Sequence, residues 1–172
     1  MIEIRDVNLE DAGKIVEIYR PYVETTAITF DYETPNVMEF EEKISKTLQK
    51  YPFLVAIEDN KILGYAYAGE FYSKIAYSWT AEITIYLDEN KRGRGIGDIL
   101  YNELEKRLYE RGICRLASCI AYPDEGSVSF HEKHGFRKVA HFEKVGYKFS
   151  RWYDVVWYQK DINEKESADP KV

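Results

Sequence analysis

Cysteine is scarce in this sequence: Cys114 and Cys119 are the only two. They stand an odd number of residues apart on one expected strand, so they face opposite ways and cannot bridge each other. Both are expected to be buried, inert thiols. Long apolar runs are missing too, with none approaching the ~18 residues of a membrane span. The opening "MIEIRDV" alternates like a strand and carries no apolar signal core, so a cytoplasmic protein is expected. Basic charge is in deficit, with 24 Lys and Arg against 30 Asp and Glu and a net charge of −6. That balance excludes a general nucleic-acid binder. His131 and His134 stand at i,i+3 rather than the i,i+4 of H-E-x-x-H, and no third ligand is evident. No metal is expected. The chain also lacks the Walker run G-x-x-x-x-G-K-[ST] and any internal repeat.

What remains is one ordinary α/β domain. A length of 172 residues, 45% of them hydrophobic and 31% charged, suits a single globular core. "IEIRDV" reads as a strand. A helix follows, opened by Asn8 or Asp11 and closing near Pro21. A second helix is expected with Thr34 as N-cap and Pro35 at N1. "FLVAIED" and "KILGYAYAGEF" form a hairpin across Asp59-Asn60-Lys61. "WTAEITIYL" is a strand, and Ile96, Leu100, Leu104 and Leu108 then mark a helix closed by Gly112. "CRLASCIAY", a short helix over "EGSVSFHEKHG" and two last strands complete the order. A single mixed sheet over residues 1–162 is predicted, with a polar, disordered tail over 163–172.

The most telling segment joins the middle strand to the long helix. Gly93, Gly95 and Gly97 alternate there with Arg92 and Arg94 beside them. The spacing is not the dinucleotide fingerprint G-x-G-x-x-G, and a plain tight turn would also need glycines. The alternative is an anion site. Glycines let successive backbone N–H groups converge at a helix N-terminus, where the macrodipole favours negative charge. With neither Walker lysine nor serine, the fitting ligand is a diphosphate rather than a magnesium-bound triphosphate.

The spacing Arg92-x-x-Gly95-x-Gly97 resembles the pyrophosphate loop (Q/R)-x-x-G-x-(G/A) of the GCN5-related N-acetyltransferases. "WTAEITIYL", "SVSFHEKHGF" and "VGYKFSRWYDVVWYQ" together resemble the phosphinothricin and methionine sulfoximine acetyltransferase group. The resemblance implies a mixed-sheet acyltransferase fold, with acetyl-coenzyme A as co-substrate. The cofactor loop it implies is Arg92, Gly93, Arg94, Gly95, Ile96, Gly97 and Asp98. The backbone of Ile85, Tyr86 and Leu87 would hold the acetyl-pantetheine arm, with one N–H polarising the thioester oxygen.

Acetyl transfer needs a neutral amine, and an alkyl amine is mostly protonated at pH 7. Glu82 matches the glutamate treated as the base in that group. His131 stands where many relatives carry a tyrosine acid; it could protonate the leaving thiolate or only touch the cofactor. Asp124 replaces the usual cofactor-contacting asparagine, and Ser127 is expected to take over part of that contact. The implied acceptor is a small amino-acid-like amine. Lys74, Lys148 and Arg151 are the expected cations for its anionic end, and Phe30, Tyr72, Tyr77 and Trp152 the expected walls. The run "GYKFSRW" raises Lys148, Phe149 and Trp152, and it implies a homodimer. Another amine acceptor, such as a polyamine or a protein N-terminus, stays open, as does a non-catalytic acyl-coenzyme A sensor.

Overall fold

The run Phe53-Leu54-Val55-Ala56 is apolar at every position, which a strand needs only when both its faces are covered. In the structure, a computed structural model describing residues 1–164, Phe53 and Val55 enter one core and Leu54 and Ala56 the other. Of the tail expected over 163–172, residues 163 and 164 are described and carry no regular structure; the rest lies outside the described residues. The elements follow the expected order: β1 (Glu3–Asp6), α1 (Ala12–Thr25), α2 (Val37–Leu48), β2 (Phe53–Glu58), β3 (Lys61–Glu70), β4 (Thr80–Leu87), α3 (Ile96–Glu110), β5 (Arg115–Tyr122), α4 (Glu125–Lys133), β6 (Arg137–Lys148) and β7 (Arg151–Asp161).

Seven strands form one sheet in the order β1-β2-β3-β4-β5-β7-β6. Buried residues of α1 and α2 (Ile15, Tyr19, Phe40, Ile44) pack on one face. The α3 stripe Ile96, Leu100, Leu104 and Leu108 packs on the other. Asp59 and Asn60 both take positive φ, 50° and 60°, which is the backbone of the tight turn that joins β2 to β3.

One helix boundary differs from expectation. The cap of α2 is Asn36, not Thr34: its side chain accepts the Glu39 N–H at 3.0 Å, and Glu39 returns a bond to the Asn36 N–H at 2.7 Å. A reciprocal capping box outweighs a lone threonine followed by proline. Pro21 lies near the end of α1, as expected, with one more turn running on to Thr25. The carbonyls of Pro21 and Tyr22 accept from the hydroxyls of Thr25 and Thr26 at 2.7 and 2.6 Å, which satisfies that end of the helix.

One irregularity positions the site. β4 and β5 run parallel, but only Thr80, Ala81 and Glu82 pair, with Arg115, Leu116 and Ala117. Past Glu82 the strands part. β4 keeps β3 along its other edge as far as Leu87, and β5 keeps β7 as far as Tyr122. Each can therefore diverge without losing its remaining ladder.

Candidate active site

Between the parted strands lies a cleft of about 750 Å³. One wall is β4 from Glu82 to Leu87, and the other is β5 from Ser118 to Ala121. A strand edge without a neighbour exposes every second residue's N–H and C=O. The β4 edge past Glu82 therefore turns alternate backbone groups to the cleft, so the consecutive Ile85, Tyr86 and Leu87, all on its lining, cannot each present a donor there. The Leu87 carbonyl is already taken by the Tyr22 hydroxyl at 2.6 Å.

At the mouth, the loop into α3 carries Arg92, Gly93 and Gly97 on the cleft lining. Gly93 and Gly95 have φ of 76° and 74°, a region that side-chain-bearing residues rarely adopt. Among the described residues, the backbone N–H groups from Arg92 to Asp98 donate to no protein acceptor; the turn closes only with Ile99 N–H to the Gly95 carbonyl at 3.1 Å. This is a run of free donors at a helix N-terminus. Ile96 and Asp98 can contribute only backbone there. The Ile96 side chain is buried in the core, and Asp98 pairs with Lys133 at 2.9 Å and His134 at 2.8 Å. Arg94 bonds both Glu58 oxygens, at 3.0 and 2.8 Å, so its guanidinium is directed to β2. Arg92 instead lies over the Tyr22 ring, 5.2 Å from its centroid, on the cleft.

Glu82 sits at the point where β4 and β5 part and lines the cleft, half-buried. Burial alone raises its pKa from the ordinary glutamate value, with no cation lowering it. Cys119 lies on the same lining. The expectation of two buried thiols is therefore corrected: Cys114 is buried, whereas Cys119 is accessible. Desolvation and the Glu82 charge push the Cys119 thiol up to about 11, so it stays protonated and unreactive at neutral pH.

His131, buried in α4, faces the cleft. Its Nδ1 is 2.7 Å from the Ser127 carbonyl, which can only accept, so Nδ1 carries the proton. Burial lowers the His131 pKa, so the ring is held neutral. Asp124 is the N-cap of α4, its carboxylate accepting the Ser127 N–H at 3.0 Å. Both residues line the cleft.

Of the expected acceptor residues, only Phe30 lines the cleft. Tyr72 and Tyr77 cluster with Phe71, at centroid distances of 4.8 and 5.9 Å, on the exposed β3–β4 connection that also carries Lys74. Trp152 packs tilted against Tyr147 at 5.0 Å across the β6–β7 hairpin, exposed and off the cleft. Lys148 is 2% exposed, with its ammonium bonded to the carbonyls of Val23, Thr26 and Thr29, so it is no free cation. Arg151 lies over Tyr153 instead of the cleft, 5.0 Å from the ring centroid. Sequence reasoning missed Tyr19, Thr29, Asp31, Lys43 and Tyr67 on the lining. None of the five carries a motif that would mark it in the sequence.

Residues 4–157 match the acetyltransferase (GNAT) domain family. The chain belongs to that family. It is 31% identical over 161 residues to phosphinothricin N-acetyltransferase of Streptomyces viridochromogenes, covering 94% of this chain and 88% of that protein. It is 29% identical to the L-methionine sulfoximine/L-methionine sulfone acetyltransferase of Pseudomonas paraeruginosa, covering 96% of this chain and 97% of that protein. The crystal structure of a GNAT superfamily phosphinothricin acetyltransferase from Sinorhizobium meliloti in complex with AcCoA superposes with a TM-score of 0.93 at 30% identity, covering 99% of this chain and 93% of that one. The GNAT fold of this chain is thus the expected one. No helix among the described residues is long and apolar enough to cross a membrane, and no group of three or more His, Cys, Asp or Glu there is placed to hold a metal.

The Glu82 environment predicts a stability signature. A carboxyl whose pKa is raised in the fold favours folding below its unfolded value, and that contribution is lost as pH rises through the folded value. At neutral pH the buried charge therefore weighs against the folded state. Glu82→Gln should melt above the wild type at about pH 8, and the gain should shrink as pH falls to about 4. Melting curves over that range check it; an unchanged or lower Tm at pH 8 would mean that the carboxylate has a stabilising partner.

Proposed function

We propose that this GNAT acetyltransferase transfers acetyl from acetyl-coenzyme A to the primary amine of a small amino-acid-like substrate of the phosphinothricin or methionine sulfoximine type. The observation that carries the reading is the juxtaposition, in one cleft, of the free N–H run from Arg92 to Asp98 with an unpaired, desolvated glutamate. The loop donors and Arg92 fit a diphosphate. The open edge of β4 fits an extended amide-bearing arm, and one of its N–H groups can donate to the thioester oxygen as charge develops.

When bound, acetyl-coenzyme A supplies the activated acetyl as a thioester. Glu82 takes a proton from the acceptor ammonium, directly or through water, and frees the lone pair to form the C–N bond; the C–S bond breaks, and the leaving thiolate takes up the second proton that the nitrogen sheds. Its raised pKa brings it closer to the working pH, which makes it a stronger base than an exposed carboxylate. His131 acts by contact rather than as the acid, because its single proton is held by the Ser127 carbonyl. Asp124 need not repel a cofactor phosphate while its carboxylate accepts the Ser127 N–H. A non-catalytic acyl-coenzyme A sensor would have no use for a buried base at the vertex of the cleft.

We place the protein in the cytoplasm as a homodimer. Val139, Phe142, Val145, Tyr147, Phe149 and Trp152 are all exposed along the edge strand β6 and its turn into β7. So much apolar surface on one edge favours a second copy. Sedimentation at assay concentration should give a dimer, and a monomer would remove this claim.

The loop is tested by Gly95→Val. A β-branched residue held at a φ of 74° costs ~1–3 kcal/mol; the free loop can relax away from that strain and the bound loop must take it up again, which is ~5–10²-fold in affinity. Calorimetry on the folded variant should show acetyl-coenzyme A binding weakened by that factor. Unchanged affinity would reduce the loop to a turn. Release of free thiol with a panel of amines then identifies the acceptor.

A further inference from the structure

Residues 26–36 join α1 to α2 without regular structure, and none of them is buried. A segment with no core of its own must be held from outside if it is to keep one shape. Yet this linker supplies Ile28, Thr29, Phe30 and Asp31 to the cleft.

Three consecutive residues at the end of β6, far away in sequence, hold it. Lys148 directs its ammonium to the carbonyls of Val23, Thr26 and Thr29 at 2.7, 2.8 and 2.9 Å, which uses all three of its N–H donors. Two of those carbonyls belong to the linker and the third to the last turns of α1. The Tyr147 carbonyl accepts from the Tyr32 hydroxyl. Gly146 lies against the ring of Phe30 so closely that an added Cβ would stand 2.2 Å from a ring carbon. On the cleft side, the Thr29 hydroxyl meets the Tyr19 hydroxyl at 2.6 Å, and Tyr19 also donates to Asp31 at 2.7 Å.

We propose that Gly146, Tyr147 and Lys148 form a latch that fixes the 26–36 linker against the cleft, so that Lys148 is a positioning residue for the acceptor rather than a contact to it. The charge of Lys148 organises backbone carbonyls, and Phe30 reaches the cleft because Gly146 leaves room for its ring. This rests on the proposed function only in taking the acceptor to bind beside Phe30.

The test pairs hydrogen exchange of the linker with substrate kinetics, in Lys148→Met and Tyr32→Phe. Lys148→Met should speed exchange of the Thr26–Asp31 amides by ~10-fold or more. It should raise the acceptor KM by ~10-fold with kcat at saturation nearly kept, the signature of lost uniform binding. Acetyl-coenzyme A affinity, read by calorimetry, should stay within about twofold, which a general loss of structure would not allow. Tyr32→Phe removes one exposed hydroxyl and should move exchange and KM the same way by less. It decides the matter alone if Lys148→Met does not fold. Unchanged linker exchange in the folded variants would overturn the latch; a loosened linker with unchanged acceptor KM would overturn its positioning role. If the wild-type protein acetylated no amine, the functional reading would fall, and the exchange data would still decide the latch.

Discussion

The parting of β4 from β5 after three residue pairs is the constraint on which the rest depends. Had the ladder continued, the edge of β4 would be closed by β5, and no arm could lie along it. Because it stops at Glu82, the base stands at the vertex, the open edge runs outward from it, and the glycine loop lies where β4 leads into α3. The sheet is not weakened as a whole, since the β3–β4 and β5–β7 ladders continue along the outer edges. The cost falls on unpaired backbone groups in the cleft, which is the chemistry a ligand can use.

Charge is distributed so that few side chains compete with such a ligand. Arg94 is directed to Glu58, Asp98 to Lys133 and His134, Asp124 to its own helix, and Lys148 to carbonyls. Glu82 keeps no such partner, and its charge is destabilised accordingly. A group held in an unfavourable ionisation state at a cleft is the usual cost of a competent base. Further along the cleft, Tyr19 and Tyr22 pack on Tyr86 at centroid distances of 5.0 and 4.8 Å, with the buried Tyr65 at 5.7 Å from it. Burial raises the phenol pKa of Tyr86 and Tyr19, so this wall stays uncharged.

Much of this was legible in the chain. The element order followed from apolar periodicity, and the loop from glycines whose φ proved to be positive at Gly93 and Gly95. Glu82 was singled out by the family resemblance together with its place on the strand that feeds that loop. Legibility failed where contacts are non-local. The burial of Lys148 beneath α1 and the linker depends on residues about 120 positions away, which no local pattern records. Tyr72, Lys74 and Tyr77 resembled pocket residues in composition, yet the connection that carries them packs its rings on one another and on Trp157. Cys119 was assigned to a core that the opening of the sheet converts into cleft wall. Thr34 lost the cap to Asn36 because the Glu39 partner, three residues on from Asn36, completes a box.

The central claim is that the glutamate at the parting of the strands takes the proton from the attacking amine. A pH series of kcat and kcat/KM for wild type and Glu82→Gln, with an acceptor identified by thiol release, measures that directly. The account predicts a fall in turnover of ~10²–10⁴ at neutral pH with acetyl-coenzyme A affinity nearly unchanged, and a defect that narrows at high pH as the amine loses its proton unaided. Near-normal kcat in the glutamine variant at neutral pH, with the chemical step shown to limit the rate, would contradict it.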